Sequence, residues 1–185
     1  MTDMKELKEM LMNEQSNAVA VYDSHIQAEE ALRKLSTASF DIKKLSIIGK
    51  GYHSEESVVG YYTTGDRMKS WGAMGAFWGG LWGLLFGAGL FLIPGVGPVL
   101  VAGPILAALV GALESAVVVG GLSALTAALV SMGIPKDKSI KYEADLKADK
   151  YLLVVHSTAE EVERARAILA ETSPVSLETH QLAAA

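Results

Sequence analysis

Chemistry needs polar side chains that converge, and this sequence offers few that share a local pattern. Its four histidines, His25, His53, His156 and His180, are scattered, with no His-x-x-His or Glu-x-x-His pair at metal-ligand spacing. A strand-end histidine such as His156 reads as a turn or core residue. No Gly-x-Ser-x-Gly elbow and no Gly-Lys-Ser or Gly-Lys-Thr phosphate loop occurs. The absence of cysteine removes disulfides, thiolate metal sites and Cys nucleophiles. The acid pairs Glu55-Glu56 and Glu160-Glu161 fall where solvated loops and first helical turns favour negative charge. One acid stands apart: Glu114 is the sole ionisable residue between Ser70 and Pro135. At the centre of a membrane helix it would cost roughly 2.5–3.5 kcal/mol. It reads as a structural carboxyl bonding a neighbouring helix or facing a wet axis, with an ion or proton path as the alternative. No catalytic residue, metal or cofactor is expected, and no small-molecule substrate is identified; the chain is expected not to be an enzyme.

Spacing is more informative than ionisable chemistry. Gly75, Gly79, Gly83 and Gly87 recur every fourth residue, which on a helix sets them in one row and admits a second backbone at close range. Ala108, Ala112, Ala116, Gly120 and Ala124, continued by Ala128, make a matching row. These rows are the candidate oligomerisation surface. Between them Pro94, Gly95, Gly97 and Pro98 interrupt any helix. The expectation is a helical hairpin, residues 70–135, with Trp71–Ile93 as one helix, a proline-glycine tip, and a second helix from Pro104 to Met132 with Gly133 closing it.

The flanks are ordinary by comparison. Residues 1–16 suggest an amphipathic helix on Met4, Leu7 and Leu11, more acidic than basic. In residues 17–69, a strand over Ala18–Tyr22 leads through Asp23 or Ser24 into a helix over His25–Ala38, with Ile26, Ala31, Leu32 and Leu35 on its buried stripe. Lys44–Ile48 forms a second strand and Ser57–Thr63 another. In residues 136–185, Pro135 starts a helix over Lys136–Ala148 anchored by Ile140, Ala144 and Leu146. The strand Tyr151–Val155, a helix capped by Thr158 and running from Ala159 to about Glu171, and a half-exposed strand Val175–Thr179 follow. Each flank repeats strand, Ala-Glu-Glu helix, strand. The predicted fold is therefore α+β: a ferredoxin-like split βαβ sandwich interrupted by the long apolar Gly/Ala-rich helical hairpin.

Net charge −5 argues against a nucleic-acid partner. The charged N-terminus shows no secretory signal. Arg67 and Lys69 precede the uncharged stretch and Lys136 and Lys138 follow it, so both termini are expected to be cytoplasmic with the hairpin tip in the apolar phase. The partners expected are the chain itself and membrane lipid. A soluble particle or filament with the hairpins as its core is the alternative, because helices apolar all round are buried either in lipid or in an assembly. An oligomeric channel or transport accessory using Glu114 is a second alternative.

The strand Ala18–Tyr22 with its Ala-Glu-Glu helix, the Ile47-Ile48-Gly49 strand end, the run Trp71–Gly87, Ile93-Pro94-Gly95-Val96-Gly97-Pro98, Ala102-Gly103-Pro104 and Gly133-Ile134-Pro135 before Tyr142-Glu143 form one pattern. From about residue 17 onward it resembles a bacterial general stress protein family, with a heat-induced or general-stress 17M-like domain and a glycine-zipper insertion. The resemblance implies a stress-response, non-catalytic role and carries no binding residues. The added N-terminal helix and the basic Lys136-Asp137-Lys138 depart from it.

Overall fold

A computed structural model describes residues 15–50, 89–93, 95–114 and 122–181. The expected N-terminal helix (to residue 14), the strand Ser57–Thr63 and most of the expected first hairpin helix lie outside these residues, and so do Pro94, Ala116 and Gly120. Six strands form one antiparallel sheet: β1 Gln15–Tyr22, β2 Leu45–Lys50, β3 Gly89–Ile93, β4 Gly97–Ala102, β5 Tyr151–Thr158 and β6 Ser176–Gln181. Their order is β3-β4-β2-β5-β1-β6. Among the described residues five α-helices accompany them: α1 His25–Thr37, α2 Ile105–Glu114, α3 Ala124–Ser131, α4 Lys136–Lys147 and α5 Ala159–Ala170.

The central strands are continuous apolar runs because both sheet faces are covered. Ala18, Ala20, Tyr22, Leu45, Leu153 and Val155 point to one face, where Leu32 and Leu35 of α1 and Val162 and Leu169 of α5 close the first core. Val19, Val21, Ile48, Leu152 and Val154 point to the other, under Ile105, Leu109, Leu125, Leu129 and Tyr142. The register Val19↔Val154 and Ile47↔Leu153 keeps each set on its own side.

Local chemistry explains most element ends. Ser24 Oγ accepts the Gln27 N–H at 3.3 Å to start α1, and Thr158 Oγ1 accepts that of Glu161 at 3.4 Å to start α5. Pro135 precedes α4, as predicted, and Gly133 adopts φ 85° after α3. Gln15 and Ser16, assigned to the N-terminal helix, instead open β1. Three residues predicted to face inward are solvent-facing: Ile26, 65% exposed, Ile140, 49% exposed, and Ala144. In α4 the buried positions are Ser139, Tyr142, Glu143 and Leu146, so its inward side carries polar groups that an apolar count does not find.

The apolar centre differs most from expectation. Residues 89–93, predicted to end a long helix, form edge strand β3, and 97–102 form β4. Strands β3 and β4 are thus antiparallel neighbours: Val96 donates its N–H to the Ile93 carbonyl at 3.0 Å, with Gly95 at φ 82°. Proline and glycine are the usual central residues of a β-turn. Gly97 and Pro98 disfavour helix, and the β-branched Val99 and Val101 favour strand, over Gly97–Ala102. The predicted helix Pro104–Met132 is two helices, since Ser123 caps a fresh start at α3 by accepting the Thr126 N–H at 3.1 Å. The described α2 and α3 are short and share one face of the sheet. Among the described residues no helix is long and apolar enough to cross a membrane.

Candidate functional site

Three polar side chains meet on the sheet face beneath α2 and α3. Asn17 of β1, Ser46 of β2 and His156 of β5 all point to that side, being in phase with Val19, Ile48 and Val154. His156 Nδ1 lies 2.7 Å from Asn17 Oδ1, and its Nε2 lies 3.0 Å from Ser46 Oγ. Asn17 Nδ2 donates to the Met132 carbonyl at 2.7 Å, at the C-terminal end of α3. Ser46 Oγ accepts the Ile105 N–H at 3.1 Å, at the start of α2.

The end contacts assign the protons. Asn17 spends its amide on Met132, so its Oδ1 can only accept and His156 Nδ1 must carry the hydrogen. Nε2 is then bare and accepts from the Ser46 hydroxyl, whose oxygen is free to accept from Ile105. A neutral histidine thus completes an unbroken chain from α3 to α2 across three strands. Burial pushes the His156 imidazole down to about 4, which favours the same neutral form.

Ser46, His156 and Asn17 have the order of nucleophile, base and orienting group in an acyl-transfer triad. Ser46 is only 1% exposed, however, and both its proton and its accepting side are taken. The trio acts as a strut. Gly103 makes it possible: at φ 92° it brings β4 so close to β2 that a Cβ would sit 2.1 Å from the Leu45 carbonyl oxygen. That approach is what carries the Ile105 N–H to Ser46.

A second anchor holds the other end of α3. Glu143 of α4 accepts hydrogen bonds from Ser123 and Thr126 and pairs with Lys147 at 2.8 Å. Burial works against its ionisation, but the bonds from Lys147, Ser123 and Thr126 outweigh it and hold the carboxyl below its ordinary range. Alongside, Tyr142 and His180 share a buried hydrogen bond at 2.9 Å. Burial raises the tyrosine and lowers the histidine. At the open end of the sheet, His25, Glu29, Gly49, Lys50, Leu100 and Tyr151 border a cleft of about 30 Å³, room for a water or two. Among the described residues no group of three or more His, Cys, Asp or Glu could hold a metal ion.

The residues singled out in the sequence are dispersed. Gly75, Gly79, Gly83 and Gly87 lie outside the described residues, as do Pro94, Ala116 and Gly120. Ala108 and Ala112 on α2 and Ala124 on α3 pack against the second core. Gly95, Gly97 and Pro98 belong to the β3–β4 hairpin. Glu114 is the last residue of α2. The strut itself was missed in sequence, since Ser46 and Asn17 stand 110 and 139 residues from His156. The one usable signal was Ser46 between Leu45 and Ile47, with Asn17 and His156 at the polar ends of the apolar runs of β1 and β5.

Residues 17–90 match the model of the heat-induced stress protein YflT domain, consistent with a bacterial general stress protein family. No curated protein and no solved structure matches the chain.

Proposed function

We propose that this chain is a non-catalytic, stress-related structural protein that self-associates through its uncharged glycine-rich stretch, at or near a membrane and with both termini in the cytoplasm. The stress-related part rests on the domain match over residues 17–90. The self-association part rests on one observation, the row Gly75, Gly79, Gly83 and Gly87 in a stretch without ionisable side chains from Ser70 to Ala88. The second small-residue row has partners already: Ala108, Ala112 and Ala124 pack against this chain's own core. The first row is assigned to contact with another copy. The four strands β2-β5-β1-β6, with α1 and α5 on one face, are read as a ferredoxin-like head that presents the stretch.

Replacing Gly79 and Gly83 together with leucine tests this, with mass measured by sedimentation in buffer and in detergent. The expected outcome is a wild-type oligomer and a smaller variant with unchanged circular dichroism. A wild type that stays monomeric throughout, or a variant that assembles as before, overturns it. Wild-type protein that assembles without detergent and does not pellet with vesicles retains self-association and removes the membrane.

A further inference from the structure

We propose that His156 and Glu143 form an acid latch, whose protonation releases the apolar helical pair α2–α3 from the sheet while the α1–α5 side stays closed. The inference does not depend on self-association or on the glycine row.

The latch is visible in where the polar contacts go. The strut reaches the start of α2 through Ser46 and the end of α3 through Met132, while Glu143 holds the start of α3 through Ser123 and Thr126. One proton on His156 reverses the Ser46–His156 contact on which the Ile105 end depends, and one on Glu143 weakens the contacts at the start of α3. Protonated His156 carries N–H on both ring nitrogens, so the Ser46 hydroxyl can no longer donate to Nε2. It must accept from the ring and from Ile105 together and turn its own proton into apolar surroundings. An unsatisfied or crowded buried polar group is costly where water cannot replace the lost partner. Protonated Glu143 likewise loses its charge-assisted bonds to Ser123, Thr126 and Lys147.

Among the described residues, no ionisable group is paired with His156. On β2, Lys50 stands at the far end and bonds Asp149, and Lys44, just before β2, is turned to Glu161 and Ser157. The ionisable residue of β1, Tyr22, lies at the opposite end of its strand and bonds Thr172. Helix α3 has no ionisable residue, and Glu114 stands at the end of α2 away from Ser46. Around Glu143, α3 contributes only hydroxyls, Lys147 is the cation, and Asp145 of α4 is bound to Lys150. Lys138 and Lys141 of α4 and His180 on β6 are gathered about Glu178 and Tyr142 instead.

The direction with pH follows. His156 is held at about 4 in the closed form against an ordinary 6.5, so the released form binds more protons between those values. Latching is full above pH 6.5 and weakens as pH falls through that window, by roughly 300-fold in all, since each unit is about tenfold. Glu143, lowered from its ordinary value, adds its loss at the acid end. What is released is apolar: Ile105, Leu109, Leu125 and Leu129 leave Val19, Val21, Ile48 and Val154.

Hydrogen exchange of the full chain from pH 7.5 to 4, corrected for intrinsic rates, tests the latch. Protection of residues 105–114 and 124–131 should fall by tenfold or more below pH 5, while residues 25–37 and 159–170 keep theirs. His156→Gln, which retains a donor and an acceptor without titrating, should remove most of that fall, and Glu143→Gln should open the pair already at pH 7. Equal loss in both layers, or an unchanged profile in His156→Gln, overturns the proposal. If a variant does not fold, the wild-type ring resonances decide. A His156 midpoint near 4, with the Ile105 amide shifting in step, supports the latch, and a midpoint near 6.5 without that shift overturns it.

Discussion

The two helical layers of this molecule are fastened in different ways. On the first face, α1 and α5 lie on the sheet with apolar stripes, and their starts are capped by residues three positions away, Ser24 and Thr158. Every contact needed to begin those helices is local. On the second face α2 receives its first N–H acceptor from Ser46, a residue 59 positions earlier, and α3 is tied at one end by Asn17 and at the other by Glu143. One layer is made of pieces that carry their own instructions. The other consists of short apolar helices that stay in place because the sheet and α4 reach up to them. The lesson is that uncharged helices need polar fastenings somewhere, and here the strands supply them.

That contrast can be broken at its tightest point. Gly103→Ala puts a methyl group against the Leu45 carbonyl at a residue with φ 92°, and the strand cannot retreat without pulling Ile105 from Ser46. The expected cost is about 3–5 kcal/mol in urea unfolding, or failure to fold. Gly95→Ala, at φ 82° but in open space, should cost only about 1 kcal/mol. If the two cost the same, the close approach of β4 to β2 is not what holds the second layer.

The remaining predictions descend from there. Stability should be flat above pH 6.5 and fall by about 3 kcal/mol toward pH 4, as the depressed His156 requires; equilibrium unfolding across that range measures it. Asn17→Ala leaves the His156 Nδ1–H and the Met132 carbonyl without partners and should cost about 2 kcal/mol by urea unfolding, with the fall in protection concentrated in α3. Thr158→Ala removes a cap of the first layer and should cost about 1 kcal/mol, with faster exchange confined to the first turn of α5. Glu161→Gln cuts the Lys44 pair, both of whose side chains are more than a third exposed, so its effect on thermal unfolding should stay below about 1 kcal/mol.

Legibility in sequence follows the same divide. The first layer was readable because a cap, an apolar stripe and a following strand are all set by neighbours: α1, α5, β1 and β5 stand close to their predicted bounds, and only Ile26 was placed on the wrong side. The second layer reads in sequence as a long helical hairpin broken at Pro94–Pro98, because apolar runs of this length fit helices as well as buried strands. Pro94-Gly95 had the residues of a β-turn, and Ser123 those of a helix start. In α4, the value of Tyr142 and Glu143 was invisible, since a buried tyrosine and carboxylate read as polar until their partners His180, Ser123 and Thr126 are in place.

By itself, the sequence determined the α+β class, the twin strand–helix–strand flanks, most helix starts and the uncharged character of residues 70–88. All of these depend on contacts within a few residues or on composition. The tertiary structure alone decided that 89–102 would extend the sheet and that α2 and α3 would cover its second face. It alone decided, too, that Asn17, Ser46 and His156 would join in one chain. Strand pairing brings residues over a hundred positions apart to within 3 Å, and no local preference encodes which ones will meet.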